Sequence, residues 1–159
     1  MLSVRLITVG TLKESYWRDA FAEYVKRLGG FCRFEEIQIK ESKLSDSPSD
    51  AEISAALNAE AKHIIAAIPP RAYKIALCVE GKQLSSEELA DLIENVSSTA
   101  GEICFVIGSS YGLSPEVKNI CNMRLSFSKL TFPHQLMRII LLEAVYRALN
   151  IIRGTKYHK

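Results

Sequence analysis

Short apolar runs alternate with longer segments of helical periodicity along the whole chain. Runs rich in β-branched and aromatic residues predict five strands, at 3–9, 31–39, 73–79, 103–107 and 123–127. Apolar residues at helical spacing predict helices between them, at about 17–28, 50–68, 85–96 and 135–150, with a short one after 114–115.

Glycine, proline and capping residues place the ends of these helices. Gly29-Gly30 ends the first helix and Pro69-Pro70 ends the second. Ser49 or Asp50 caps the second helix, and Ser85 opens a capping box with Glu88 for the third.

Alternating strands and helices predict an α/β fold with a mainly parallel sheet and helices on both faces. The uninterrupted apolar strands at 75–79 and 103–107 agree, because such strands are covered on both sides. No repeat or linker divides the chain. The polar loop at 41–50 is an alternative domain boundary, but the parts on its two sides are too small to favour two domains. We therefore expect a single domain over residues 1–159.

The helix at 135–150 is apolar nearly all round. From Leu136 to Ile152 only Arg138, Glu143, Arg147 and Asn150 are polar. Such a helix must be covered on more than one side. A second subunit would supply that cover in a homodimer, and a central position within one chain is the alternative.

Composition limits the class of protein. No apolar run approaches the length of about 20 residues that a membrane span needs. The start of the chain is a first strand and not a signal peptide, since Arg5 interrupts its apolar run. The four cysteines show no metal-ligand spacing, so we expect free thiols, a cytoplasmic location and no metal.

Charge is strongly polarised along the chain. Residues 124–159 hold seven Lys or Arg and one acid, for a net of +6, whereas residues 1–123 hold 13 basic and 17 acidic residues, for −4. A concentrated positive field suits a polyanion, of which nucleic acid is the commonest.

Two loops that follow apolar strands carry the candidate chemistry. One is G-S-S-Y-G at 108–112, and the other, at 125–134, holds hydroxyls, one Lys, one Pro and one His. Parallel sheets bind ligands beyond the carboxyl ends of their strands, so the two loops can meet in one crevice. Neither is a dinucleotide or ATP motif. The alternatives are a tight turn at 108–112 and a simple helix start at 131–134.

The C-terminal tail, R-G-T-K-Y-H-K at 153–159, combines charge with two aromatic rings. Phosphate contact plus stacking is what RNA binding requires. A frayed, solvated terminus is the alternative.

Seven motifs together resemble one known family. They are V-G-x-L-K-E-x-Y near the start, E-Y-x-K-R-L at 23–28, E-G-K-x-L-S-S-E at 80–87, F-V-I-G at 105–108, L-S-F-S-K-L-T-F-P-H-Q at 125–135, E-A-V-Y-R-A at 143–148 and R-G-T-K-Y-H-K at 153–159. The chain is similar over its full length to the ribosomal RNA large subunit methyltransferase H family, which are small SPOUT-class enzymes.

The resemblance implies a C-terminal trefoil knot, a homodimer and S-adenosylmethionine as methyl donor. The implied activity is N3 methylation of a pseudouridine in 23S rRNA of the assembled 70S ribosome. The implied cofactor-binding residues are Leu77, Gly108, Phe127, Ser128, Lys129, Leu130, Thr131 and Phe132. At position 109 this chain has serine where the family often has a second glycine. If the backbone there had to be left-handed, serine would be less favourable than glycine.

Removal of the N3 proton would be helped by a base, and His134 and His158 are the candidates. The expected RNA contacts are Arg138, Arg147, Arg153, Lys156, Tyr157, His158 and Lys159. A non-enzymatic ribosome-associated RNA-binding factor and a different cofactor-using α/β enzyme remain as rival interpretations.

Overall fold

The structure, a computed structural model, describes all 159 residues. Five strands and five helices alternate: β1 (Ser3–Val9), α1 (Ser15–Leu28), β2 (Arg33–Ile39), α2 (Asp50–Ala67), β3 (Tyr73–Gln83), α3 (Ser86–Thr99), β4 (Glu102–Ile107), α4 (Pro115–Ile120), β5 (Met123–Ser126) and α5 (His134–Ile152). Every element predicted from the sequence is present.

The strands form one sheet in the order β2-β1-β4-β3-β5, and every pairing is parallel. The predicted α/β fold class is thereby confirmed. All the strands end at the same edge of the sheet, so the loops that follow them lie near one another.

Hydroxyl caps start three of the helices. Ser49 forms a capping box with Glu52, and Ser85 forms the predicted one with Glu88. The Ser114 hydroxyl accepts a hydrogen bond from the Val117 N–H. Each cap satisfies an amide that the helix itself leaves unpaired.

Alternate strand residues build two cores on opposite faces of the sheet. In β4, Phe105 packs with α1, α3 and α5, whereas Val106 packs with α2 and α4. Helices therefore cover both faces, as the apolar strands predicted.

Within the chain α5 packs against the sheet, α1 and α3, and none of its residues is exposed. Leu141 and Val145 are fully buried, whereas Ile140 is half-buried. The sequence attributed the apolar surface of this helix mainly to a second subunit. Most of it is explained by packing within the chain, the alternative that the sequence left open.

Strand β3 is longer than predicted, because it continues past position 79 to Gln83. Leu77 and Lys82 both align with Leu125 of β5, so the intervening residues bulge from the sheet. A Cβ on Gly81 would lie 2.7 Å from the backbone carbons of Arg124 and Leu125, so only glycine fits at this crossing. The trefoil knot implied by the resemblance stays a prediction.

None of the helices is both long and apolar enough to cross a membrane. The four cysteines are unpaired, and burial raises the pKa of Cys32 to about 11 and that of Cys104 to about 12. Both buried thiols therefore stay protonated at neutral pH.

Candidate active site

A cavity of about 320 Å³ lies at the carboxyl ends of β3, β4 and β5. Three segments form most of its wall: the end of β3 from Leu77 to Glu80, the turn after β4 and the loop after β5. The structure thus brings together the two loops that the sequence selected. A ligand bound there would contact apolar side chains, hydroxyls and backbone amides together.

A tight turn at 108–112 forms one wall of the cavity. The Gly112 N–H donates to the Ser109 carbonyl at 2.9 Å, and Gly112 takes a left-handed conformation, with φ of 84°. Ser109 does not, because no residue other than glycine has a positive φ. Its hydroxyl accepts from the Tyr111 N–H at 3.3 Å, so a serine is accommodated at this position without backbone strain.

The loop at 127–132 forms the opposite wall and is held by two serines. The Ser126 hydroxyl donates to the Ser128 carbonyl at 2.9 Å, and the Ser128 hydroxyl accepts from the Leu130 N–H at 3.0 Å. Seven of the implied cofactor residues line the cavity: Leu77, Gly108, Phe127, Ser128, Leu130, Thr131 and Phe132. Lys129 does not, because its side chain is exposed outside the cavity.

His134 begins α5 and lines the same cavity. Burial lowers the pKa of its imidazole, and the positive charges of Arg138 and Lys13 lower it further, against an opposing effect of Glu41. The ring is therefore neutral at neutral pH, which is the form that accepts a proton.

Arg138 is fully buried, which argues against its expected contact with RNA. Its guanidinium donates to the carbonyls of Val9 and Gly10, at 2.9 and 3.0 Å, and to the Glu36 carboxylate at 3.3 Å. A phosphate could reach this group only after α5 separated from the sheet. The arginine holds α5 to the end of β1 and to the middle of β2 instead.

The tail folds back onto α5 and is not frayed. The Tyr157 ring packs edge-on against Tyr146, with centroids 4.8 Å apart, and its hydroxyl donates to the Glu143 carboxylate at 3.1 Å. The Arg147 guanidinium lies 4.8 Å from the centre of the Tyr157 ring. Burial and Glu143 raise the pKa of the Tyr157 phenol, which keeps this donor protonated.

The structure separates the two candidate histidines. His158 Nε2 lies 2.9 Å from the Glu87 carboxylate and Nδ1 lies 3.3 Å from Arg147 NH1, so Nε2 donates and Nδ1 accepts. No residue of the tail lines the cavity. Of the two candidate histidines, then, only His134 lines the cavity within one chain.

The positive field of residues 124–159 is carried by fewer groups than the sequence suggested. Arg138 is buried against Glu36, and Arg147 pairs with Glu143. The exposed cations of the segment are Arg124, Lys129, Arg153, Lys156 and Lys159. Arg153 also lies over the Phe31 ring, 4.1 Å from its centre.

The sequence interpretation missed an ion pair at the cavity. Lys118 of α4 pairs with Glu80, and both side chains line the cavity. The hydrogen bond from Lys118 is the main cause that lowers the pKa of Glu80. Glu80 stood in the quoted E-G-K motif, whereas no local pattern singled out Lys118.

Comparison with known proteins identifies the class. The family model described as predicted SPOUT methyltransferase matches residues 2–158. Ribosomal RNA large subunit methyltransferase H of Streptococcus thermophilus strain CNRZ 1066 is 50% identical over 159 residues, covering 99% of this chain and 100% of that protein. The protein of the same name from Bacillus pumilus is 44% identical with the same coverage. This chain therefore belongs to the SPOUT methyltransferases, within the family of ribosomal RNA large subunit methyltransferase H.

Solved structures of low sequence identity share the fold. A probable methyltransferase from Bordetella pertussis superposes with a TM-score of 0.60 at 18% identity, covering 92% of this chain and 95% of that one. The putative methyltransferase Lpg2936 from Legionella pneumophila, solved with bound cofactor SAM, has a TM-score of 0.53 at 11% identity, covering 95% and 66% of the two chains.

Proposed function

We propose that this enzyme transfers a methyl group from S-adenosylmethionine to N3 of a pseudouridine in 23S rRNA of the assembled 70S ribosome, in the cytoplasm. The single observation that carries the substrate class is the full-length similarity to proteins named ribosomal RNA large subunit methyltransferase H. The specific nucleotide and the ribosomal context follow from the resemblance of the motifs at 125–135 and 153–159.

The cavity fits S-adenosylmethionine in size and chemistry. Its volume of about 320 Å³ lies in the range of small-molecule sites. Leu77, Ile107 and Phe127 offer apolar surface to a purine ring. The hydroxyls of Ser128 and Thr131 and the amides of the 108–112 turn can bind polar groups of the ribose and the amino-acid end. Gly108 and the loop from Phe127 to Phe132 would hold the cofactor.

When bound, S-adenosylmethionine supplies a methyl group already activated by its sulfonium sulfur. The protein's main task is to align the target nitrogen with that methyl group, since a fixed geometry removes much of the entropic barrier. His134 would accept the N3 proton as the nitrogen–methyl bond forms. A positioned base typically contributes about 10²–10⁴-fold to the rate. Because the methyl group is already activated, these steps require no metal.

The exposed cations of residues 124–159 would bind RNA phosphates. Arg153, Lys156 and Lys159 extend the positive charge along the tail, while Arg124 and Lys129 place it beside the loop at 127–132. Tyr157 and His158 would contact bases once they leave their docking on α5 and α3.

Calorimetry with S-adenosylmethionine separates this proposal from a non-enzymatic ribosome-associated factor. We expect saturable binding of one cofactor per cavity, because the lining residues match its chemistry. As a control, Ala55→Glu on the exposed surface of α2 should bind it equally well, since α2 does not line the cavity. The absence of any binding heat at millimolar cofactor would favour the non-enzymatic factor.

We also propose that two chains pair through the face of α5 and the cavity mouth. Three exposed apolar side chains, Val79, Tyr111 and Leu130, line the cavity, and Leu130 is 71% exposed. Exposed apolar clusters of this kind mark contact surfaces. Half-buried Ile140 adds apolar surface on α5.

Ile140→Glu is expected to convert a dimer to a monomer in sedimentation experiments at micromolar concentration. The half-buried side chain would place a charge in an interface that should bury on the order of 1,200–2,000 Å². Ala55→Glu adds the same charge to exposed α2 and should leave the dimer intact. Leu141→Glu would instead unfold the chain, because Leu141 is core. A monomeric wild-type protein would refute the dimer.

A further inference from the structure

Arg138 is the most buried charge in the chain, and the proposed reaction assigns it no task. Its side chain has no solvent exposure, and three oxygens accept from its terminal nitrogens. Its Nε is the only buried side-chain nitrogen or oxygen without a partner. Burial of a charged group is costly unless it is paired and hydrogen-bonded, so a simple packing role would be better served by an apolar residue.

The arginine ties α5 to the carboxyl end of β1 and to the middle of β2. Val9 is the last residue of β1 and Gly10 follows it, whereas Glu36 is the fourth of the seven residues of β2. The Thr8 hydroxyl of β1 also donates to the Glu36 carboxylate, at 2.9 Å. A second hydrogen bond joins the first turn of α5 to the loop after β1, because the Lys13 N–H donates to Gln135 Oε1 at 3.2 Å.

His134 precedes Arg138 by four residues, so the two side chains lie on one side of α5, one turn apart. His134 has no hydrogen-bonding partner of its own that would fix its ring. The anchoring of the next turn by Arg138 therefore determines where the imidazole lies at the cavity wall.

We propose that Arg138 is a positioning residue that anchors α5 to β1 and β2, one turn after His134, and so fixes the orientation and the charge environment of His134. The inference rests on the proposed function, in which His134 accepts the N3 proton. It predicts two separable effects of Arg138, one through geometry and one through charge.

Four charged groups bear on the charge effect. Arg138 on α5 and Lys13 in the loop after β1 favour the neutral ring, Glu41 in the loop after β2 opposes them, and Glu36 pairs with Arg138. Arg138 acts from a buried position, where solvent screens it less than it screens exposed Lys13. Removal of the arginine should thus raise the pKa of His134 towards its ordinary value.

The charge effect is measured by an NMR titration of the His134 ring in the ligand-free protein. Arg138→Gln should raise the His134 pKa, whereas Arg138→Lys, which keeps the charge, should leave it near the wild-type value. Arg27→Gln removes an exposed arginine from α1 and serves as the control. A shift in Arg138→Gln no larger than that in Arg27→Gln would overturn the charge effect.

The geometric effect is measured by kinetics on ribosomes. Arg138→Lys should lower kcat by about 10²-fold, because a shift of about 1 Å in a catalytic group has this cost. KM for ribosomes and the Kd for S-adenosylmethionine should stay unchanged, as neither ligand contacts Arg138. Wild-type kcat in Arg138→Lys would overturn the positioning role. This variant keeps the test available if Arg138→Gln fails to fold.

His134→Gln distinguishes a failure of this inference from a failure of the proposed base. Where Arg138→Gln raises the His134 pKa, the acidic limb of the activity profile should move upward in parallel, and His134→Gln should abolish that limb. A raised pKa with an unmoved limb would refute His134 as the base and leave its positioning by Arg138 standing.

Discussion

Replacement of Gly108 by alanine is expected to weaken S-adenosylmethionine binding by about 100-fold, which corresponds to about 2.7 kcal/mol. A Cβ at this position would lie 2.2 Å from the Gly112 carbonyl oxygen and 2.5 Å from its carbon. Backbone atoms cannot yield as a flexible side chain does, so the whole 108–112 turn must move. That turn forms one wall of the cavity, so the cofactor would lose its hydrogen bonds with the backbone amides of the turn.

A larger side chain at Gly108 would not enter the cofactor's space, because the Cβ direction points at the turn itself. Gly30→Ala is the matched control, since its Cβ would meet only the Arg27 carbonyl oxygen at an ordinary 3.9 Å. Calorimetry and thermal unfolding of both variants measure the effect. Wild-type affinity for S-adenosylmethionine in Gly108→Ala would refute the assignment of the cofactor to this cavity.

Deletion of residues 155–159 is expected to lower methyl transfer to ribosomes by at least about tenfold, because base stacking alone contributes about 1–3 kcal/mol. Cofactor affinity should be nearly unchanged, since no tail residue lines the cavity. The salt dependence of ribosome binding should flatten, by a slope of about 0.7 to 0.9 for each phosphate that the tail no longer binds. The truncated chain should unfold at a slightly lower temperature, because Tyr157 no longer packs against Tyr146.

Point variants separate the contributions of the tail. Lys156→Ala should reduce the salt slope, because the exposed ammonium group would contribute a phosphate contact. Tyr157→Ala should lower activity with little change in that slope, whereas Tyr157→Phe keeps the ring and loses only the bond to Glu143. If the truncated enzyme methylates ribosomes at the wild-type rate, RNA recognition must come from the exposed cations that remain, which are Arg124, Lys129 and Arg153.

Local physics made the elements of this fold predictable. Capping residues such as Ser85 and stop signals such as Pro69 act within a few residues, so the helices and strands followed from the sequence. The elements that bury the apolar surface of α5 could not be predicted in this way, because its contacts with α1 and α3 join segments that are distant in the sequence. The extension of β3 to Gln83 also depends on a distant segment, since its last residues pair with β5.

Part of the candidate site was predictable for a similar reason. Parallel strands end at one edge of the sheet, so the loops after β4 and β5 were expected at that edge, where they could meet in one crevice. Whether an individual charged side chain is exposed or buried was not predictable. The sequence does not distinguish a buried arginine such as Arg138 from one that binds RNA. Only the tertiary structure shows its contacts with Val9, Gly10 and Glu36. The contact between the Tyr157 and Tyr146 rings could not be predicted either, because it too depends on the tertiary structure.

Transfer of a labelled methyl group from S-adenosylmethionine to 70S ribosomes, separate subunits and naked rRNA tests the central claim most directly. The proposed function predicts strong labelling of 70S ribosomes, weak labelling of the other two substrates, and a single modified pseudouridine in 23S rRNA that carries the methyl group on N3. An absence of label in all three substrates, from protein that binds the cofactor, would contradict the claim. So would a label that maps to another RNA.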